Sequence, residues 1–401
     1  MKIKEIILKI RQFIKKEPKL VSDLKNIALM LLFCFLFLFF FANRAKFYPE
    51  NIILYLEGKF KSVSFEYSFP AEIEGQTAIV DENTKTLGGD PVVLSGTSFN
   101  VFNGFGKLLR TEKHNLATPR FKTGGIRAIL YDVGGKNFQV QSVAKTLFKS
   151  RSNENILSCD IAESGNYATL TESHGYLSEV KIYNHENTEK YKYCFSECHA
   201  SDVSVHPTDN KCLVSGISFA NGKINSLIYA LDFKSEKPEN VFSLDENTVM
   251  HVHYFQNGNI LAIGDKYAAV INQKTKHIQK FDFSNLGYFK FYSFTKEYGA
   301  VFCFSESFGK KNDDKLILLD NFGKTGNPIQ TNASLKKIAH CKNRIAGLSN
   351  EKILIYSLDG HFEGSVRTSQ NFSSIAFGSD SLVYATANTT LDRIKIHNLE
   401  K

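Results

Sequence analysis

The sequence predicts an all-β fold, an eight-bladed β-propeller with seven blades as the alternative, preceded by a single transmembrane helix. Three observations carry this. Residues 156–195 read as four short strands joined by tight polar turns. Strands of the same kind, flanked by hairpin turns, recur about every 42 residues down the chain, which is propeller-blade length. An uncharged run rich in Phe and Leu stands near the N-terminus.

The stretch 156–195 shows why the strand reading wins. Ile156 to Ile161 is mostly apolar and ends at Glu163-Ser164-Gly165-Asn166, a turn cluster in which Gly165 supplies positive φ. Tyr167 to Thr171 follows, with Ala168 and Leu170 on the alternate face. Ser173-His174-Gly175 turns the chain into Leu177 to Tyr183, where Val180 and Ile182 share a face. In Glu189 to Phe195, Tyr191, Tyr193 and Phe195 alternate with Lys190 and Lys192. That period of two marks an outer strand with one wet face. None of these runs reaches helical length.

Composition suits this class. The chain has 401 residues, with 34 Phe, 17 Tyr, no Trp and only 8 Pro, so apolar surface is ample and strand breakers are few. Net charge is +8, but residues 1–50 hold about +6 of it. The nearly balanced remainder argues against nucleic acid as a partner.

Residues 1–25 form a basic amphipathic tail. Ile3, Ile6, Ile7, Ile10, Phe13 and Ile14 fall on one helical stripe, with lysines and Arg11 around them, as for a helix resting on an anionic membrane surface. Residues 26–43 are the expected transmembrane helix. Its core, Ile27 to Ala42, carries no charge and is apolar all round. Sixteen residues rise about 24 Å, short of a roughly 30 Å hydrocarbon core, a gap that flanking Lys25 and Arg44 and local thinning can absorb. Bulky Phe40 or Asn43 occupies the small-residue position of each cleavage site, so the segment reads as an uncleaved signal anchor. Eight basic residues precede it. By the positive-inside rule the N-terminus is cytoplasmic and everything past residue 43 lies outside the cell.

Residues 44–58 are expected to link this anchor to a propeller over 59–401. Lys59 to Phe69 alternates as a strand, residues 72–87 hold another, and Gly88-Gly89-Asp90-Pro91 is a turn. Third strands then centre near Val101, Gln139, Lys181, Tyr229, Val270, Ile317, Ile355 and Lys395, giving eight blades. The last blade, Asn371 to Lys401, shows only three strands. Lys59 to Phe69 is expected to supply its fourth and close the ring, because an open ring leaves sticky strand edges.

With those elements in place, Ala117 to Val140 (ATPRFKTGGIRAILYDVGGKNFQV) and the SEVKIY run at Ser178 to Tyr183 carry a resemblance. They resemble a family of membrane-anchored propeller proteins from Gram-positive bacteria, classed as a domain of unknown function. The wider fold is similar to quinoprotein-like and WD40-like propellers. The resemblance implies fold and location and transfers no catalytic residue. The lack of Trp removes the tryptophan docking pattern of the quinoprotein type and argues against a quinone, so no cofactor is expected.

Metal-ligating candidates are few. Cys194, Cys198 and His199 form C-x-x-x-C-H, which lacks a fourth zinc ligand, and the two thiols alternatively suit a disulfide outside the cell. The competing reading has both cysteines packed as small apolar side chains. His251-Val252-His253 places two imidazoles on one strand face with no third ligand in view. Gly104-Phe105-Gly106 reads as hairpin chemistry, not a nucleotide loop, and Asn312-Asp313-Asp314 as a solvated turn. No catalytic residue set is found. The expected function is a non-enzymatic binding or scaffold module of the cell envelope, with an envelope protein or cell-wall polymer as partner. A propeller-type hydrolase or lyase, and a single-pass sensor acting through a partner, are the alternatives.

Overall fold

Continuous apolar runs in the inner strands, such as Ile260–Gly264 and Tyr267–Ile271, make each repeat a four-stranded meander that must bury both faces, and stacking such sheets around an axis does so. The computed structural model describes residues 18–42, 49–61, 66–77, 82–220, 222–306, 314–368, 370–396 and 399. Among them stand eight antiparallel four-stranded sheets. Blade 1 begins at Thr84, blade 2 at Pro119, blade 3 at Ile156 and blade 4 at His199. Blade 5 begins at Val249, blade 6 at Tyr288, blade 7 at Lys337 and blade 8 at Ser374. Within each sheet the first strand is innermost and the order follows the chain, except that blade 8 takes its fourth strand from the N-terminal segment. The chain is an eight-bladed β-propeller, preceded by helices. It divides into two units, residues 1–52 and 53–401.

The core lies between blades. One apolar cluster fills each interface. Leu170, Val180 and Ile182 of blade 3, for example, meet Val203 and Val214 of blade 4. Phe302 and Phe304 of blade 6 meet Leu261 and Ile263 of blade 5. Inner strands such as Ile260–Gly264 and Tyr267–Ile271 of blade 5 are buried throughout, while the outer strand Ile278–Asp282 is largely open. Tight turns need glycine at a few points. Gly106 takes φ +94°, and a Cβ there would meet the Phe69 ring at 2.9 Å.

The ring closes through the N-terminal segment, by residues other than those expected. The fourth strand of blade 8 is Ala71–Glu72, pairing Ala71 with Leu391 and Glu72 with Thr390. The amides of Ile73 and Thr77 extend the seam to the carbonyls of Thr389 (2.8 Å) and Asn388 (3.0 Å). On the blade 1 side, the Glu74 carbonyl accepts from Ser95 Oγ (2.8 Å) and Asn100 Nδ2 (3.2 Å). Ile73, Val93, Phe102, Tyr384 and Leu391 pack the junction.

Lys59 to Phe69 is therefore not the closing strand. Pro49–Lys61 forms helix α2, which also replaces most of the expected 44–58 linker, and residues 62–65 lie outside the described residues. Proline in the first turn, Glu50 at the positive end of the dipole, and Lys59 and Lys61 at the negative end favour the helix over the alternating strand pattern. Within the propeller unit, α2 rests on a turn of blade 2, where Lys61 Nζ donates to the Ala144 carbonyl (2.7 Å) and Lys145 pairs with Glu57 (2.9 Å).

Helix α1 spans Pro18–Ala42. Its leucines and phenylalanines from Leu29 to Phe41 are all exposed. Among the described residues no helix is long and apolar enough to cross a membrane. The basic tail expected over residues 1–25 lies outside the described residues up to residue 17.

Candidate functional site

The channel along the propeller axis is where side chains from many blades converge. Its walls are the innermost strands, whose period of two sends alternate residues into the lumen. In Val249–Tyr254 of blade 5, Val252 and Tyr254 pack into the blade. His251 and His253, between them, form a stacked pair with ring centroids 6.5 Å apart. His253 Nε2 lies 3.0 Å from the Tyr292 hydroxyl, and its ring stacks on Phe294 at 4.1 Å. His251 Nδ1 sits 3.6 Å from Asp202 Oδ2.

Asp202 is the hub of a tie across four blades. On blade 4, only 4% exposed, it accepts from Lys122 Nζ of blade 2 at 3.0 Å and Ser158 Oγ of blade 3 at 2.6 Å. It also accepts from the Val252 amide of blade 5 at 3.2 Å. Burial alone would raise the Asp202 pKa, but Lys122 and His251 outweigh it and hold the carboxyl far below its ordinary value. Burial works against charge on Lys122 too, yet Asp202 and Asp160 raise its pKa above the usual lysine range. Both groups are charged at neutral pH, so this is a buried ion pair with its lone pairs satisfied.

A cavity of about 340 Å³ opens within the channel, lined among others by Glu82, Lys85, His253, Tyr292, Lys337 and His340. Glu82 pairs with Lys85 at 3.1 Å, and that lysine above all brings the Glu82 pKa down to about 2. Burial lowers His253 to about 3 and His340 to about 4, so both are neutral imidazoles. His340 is held by Ser293 Oγ (2.9 Å) and Thr295 Oγ1 (3.0 Å). The wall mixes aromatic faces with charged and hydroxyl groups, the chemistry of a small-ligand pocket.

The sequence-derived candidates fare differently. His251 and His253 share a face as expected and stand in the channel beside Asp202, Tyr292 and Phe294, and the Asp202 carboxylate is taken up by Lys122 and Ser158. Cys194 is a half-buried thiol in the outer strand of blade 3, donating to Glu179 Oε2 at 3.7 Å. Cys198 is buried in the apolar cluster between blades 3 and 4, and His199 is exposed at the next strand's start. Both thiols are free, and the three residues do not converge. Among the described residues no group of three or more His, Cys, Asp or Glu is placed to hold a metal ion. Gly104 to Gly106 is a hairpin turn in which Asn103 Oδ1 accepts from the amides of Phe105 and Lys107. Asn312 and Asp313 lie outside the described residues. Asp314 is no solvated turn residue. It is buried, pairs with Lys290 at 2.7 Å and accepts from the Leu335 amide at 2.6 Å.

Sequence reasoning missed Lys122, Asp202, Tyr292 and His340, which lie on four different blades. The available signal was a lone carboxylate among the small and apolar residues of an innermost strand, as Asp202 is in His199–Val205.

Comparison with known structures agrees with the architecture. The C-terminal WD40 domain of Sif2 superposes with a TM-score of 0.56 at 11% identity, over 82% of this chain and 97% of that one. Sqt1 of Saccharomyces cerevisiae gives 0.51 at 10% identity, over 82% and 98%. BamB from Moraxella catarrhalis gives 0.49 at 11% identity, over 78% and 97%. At such identities the likeness is one of fold alone. A search of curated proteins finds no match. Residues 60–396 match a family of unknown function, DUF5711, and the chain belongs to that family.

Proposed function

We propose that this protein is a non-enzymatic binding module of a Gram-positive cell envelope, held at the membrane by residues 26–43 with its N-terminus in the cytoplasm. The observation that carries the binding reading is the channel cavity, most of whose titratable groups are fixed in place. Glu82 is held by Lys85, and His253 and His340 are neutral and hydrogen-bonded to hydroxyls. Groups fixed in one ionisation state suit holding a ligand more than shuttling protons. The anchor rests on the uncharged, exposed Leu29–Phe41 stretch and on the basic residues before it. An envelope protein or cell-wall polymer is the expected partner class.

The test is a thermal-shift screen of the full-length, detergent-solubilised protein against envelope-derived oligosaccharides and peptides, with mass spectrometry of each ligand afterwards. A ligand that raises the melting temperature and is recovered intact supports the reading. A ligand recovered cleaved overturns the non-enzymatic part. Carbonate extraction of membranes tests the anchor, and release of the protein into the soluble fraction overturns it.

A further inference from the structure

The interface between blades 2 and 3 holds a polar cleft beside its apolar cluster. Blade 3 presents an apolar face to blade 4 through Leu170, Val180 and Phe195. By the strand period its opposite face, toward blade 2, carries Thr169, Thr171, Glu179, Lys181 and Lys192. Apolar packing there runs along the first strand of blade 3, where Tyr131, Phe138 and Val140 of blade 2 meet Ile156, Ile161 and Tyr167. Beside this cluster is a cavity of about 290 Å³ with a mostly polar wall. A polar sheet face between two blades costs stability unless water or a ligand satisfies it.

We propose that this cleft binds a neutral saccharide. The inference rests on the binding-module reading above and names a ligand class and a second site for it. Charge is balanced across the cleft. Arg151, Lys181 and Lys192 stand against Glu154, Glu172 and Glu179, so no net field selects an anion or a cation. The polar groups are already fixed in place. Glu179 takes Lys192 at 2.6 Å and Lys181 at 3.1 Å, and Glu172 takes Asn155 Nδ2 at 2.9 Å. Burial raises the Glu179 pKa, but the bonds from Lys192 and Lys181 outweigh it and keep the carboxylate ionised as an acceptor. Interleaved donors and acceptors match a ligand whose hydroxyls each donate and accept. Tyr183 adds one ring, itself stacked on Tyr167 at 4.9 Å, against which a sugar face can rest. An apolar peptide side chain would find no apolar wall. The volume is at the small end for ligand pockets, enough for one or two sugar rings.

The cleft's position suits a long polymer. It is walled by the 152–154 and 172–174 loops, which lie on the rim that carries the connections between blades. The chain joins the propeller at the opposite rim, where Lys61 meets Ala144 and the Ser68 amide meets the Phe105 carbonyl. A strand passing over the distal rim therefore has free access.

The experiment is saturation-transfer NMR and calorimetry on the full-length protein in detergent, with the trisaccharide of N-acetylglucosamine, maltotriose and inorganic phosphate as probes. Saturable binding of at least one trisaccharide, with none of phosphate, is expected. Glu172→Gln, at an exposed position, and Thr171→Val should each weaken it at least tenfold, and Lys337→Met reports separately on any binding in the channel. Binding unaffected by both cleft variants but lost in Lys337→Met overturns the cleft while leaving the binding-module reading intact. Phosphate binding without sugar binding overturns the ligand class, and no binding of any probe overturns the inference. A trisaccharide bound in the cleft and then cleaved supports the cleft and overturns the non-enzymatic reading.

Discussion

Replacing Asp202 by Asn tests whether the four-blade tie holds the ring. The substitution keeps the shape of the side chain and removes its charge. Lys122, whose side chain is 22% exposed, then loses the partner 3.0 Å away, and Ser158 Oγ and the Val252 amide compete for one weaker acceptor. Removing one member of a buried ion pair costs about 3–5 kcal/mol, because the other charge stays buried. Unfolding entropy near 2.1 cal/mol/K per residue gives ~0.7 kcal/mol/K for a propeller of about 340 residues, so the expected drop in melting temperature is about 4–7 °C. The carboxyl's folded pKa is depressed, so its contribution is full above the unfolded value near 3.9 and is lost as pH falls below it. The gap between wild type and variant should therefore narrow below about pH 4. Circular dichroism melts of Asp202→Asn, Lys122→Met and the double variant across pH 3–8 check this. A loss under about 1 kcal/mol at pH 7, or a double variant whose cost is the sum of the two singles, would refute the tie.

Three further outcomes follow from the same packing. His340 is buried with a folded pKa of about 4, so an unfolded chain takes up a proton below pH 6.5 that the folded imidazole refuses. Its share is a fall in stability of up to about 3 kcal/mol as pH drops from 6.5 to 4, and because His253 is depressed as well, His340→Gln should lessen the slope in urea titrations and His340→Gln with His253→Gln should lessen it further. Leu391→Ala, in the junction with Ile73 and Tyr384, should cost about 2–5 kcal/mol by cavity formation, read by urea unfolding. Because Cys194 and Cys198 are free thiols, dithiothreitol should change the melting temperature by less than about 1 °C, whereas losing a disulfide typically costs 2–5 kcal/mol.

The blades were legible because each third strand carries its own period and its own turns. Val101, Gln139, Lys181, Tyr229, Val270, Ile317, Ile355 and Lys395 all lie in third strands of the structure. That the chain's N-terminal part closes the ring was legible from the missing strand of blade 8, but the residues were not. A two-residue strand such as Ala71–Glu72 has no period to detect, and the alternation in Lys59 to Phe69 competed with the proline and end charges that make Pro49–Lys61 helical. At the site, His251 and His253 were readable as a pair because they are two apart on one strand. Their partners Asp202 and Tyr292 lie 49 and 41 positions from His251, joined only by the curvature of the ring. The alternation of Lys190 and Lys192 with tyrosines marked a wet face on the outer strand of blade 3, and both lysines are exposed; that the same face of the inner strands, with Thr169, Glu179 and Lys181, looks toward blade 2 had no local signal.

Hydrogen exchange on the full-length protein, followed by mass spectrometry of peptides covering residues 71–77, tests the closed ring most directly. Bonded to the carbonyls of Thr389 and Asn388, the amides of Ile73 and Thr77 should be as protected as those of Leu382–Thr386 in the same blade. Exchange of residues 71–77 at the rate of an unstructured peptide, with the rest of blade 8 protected, would contradict it.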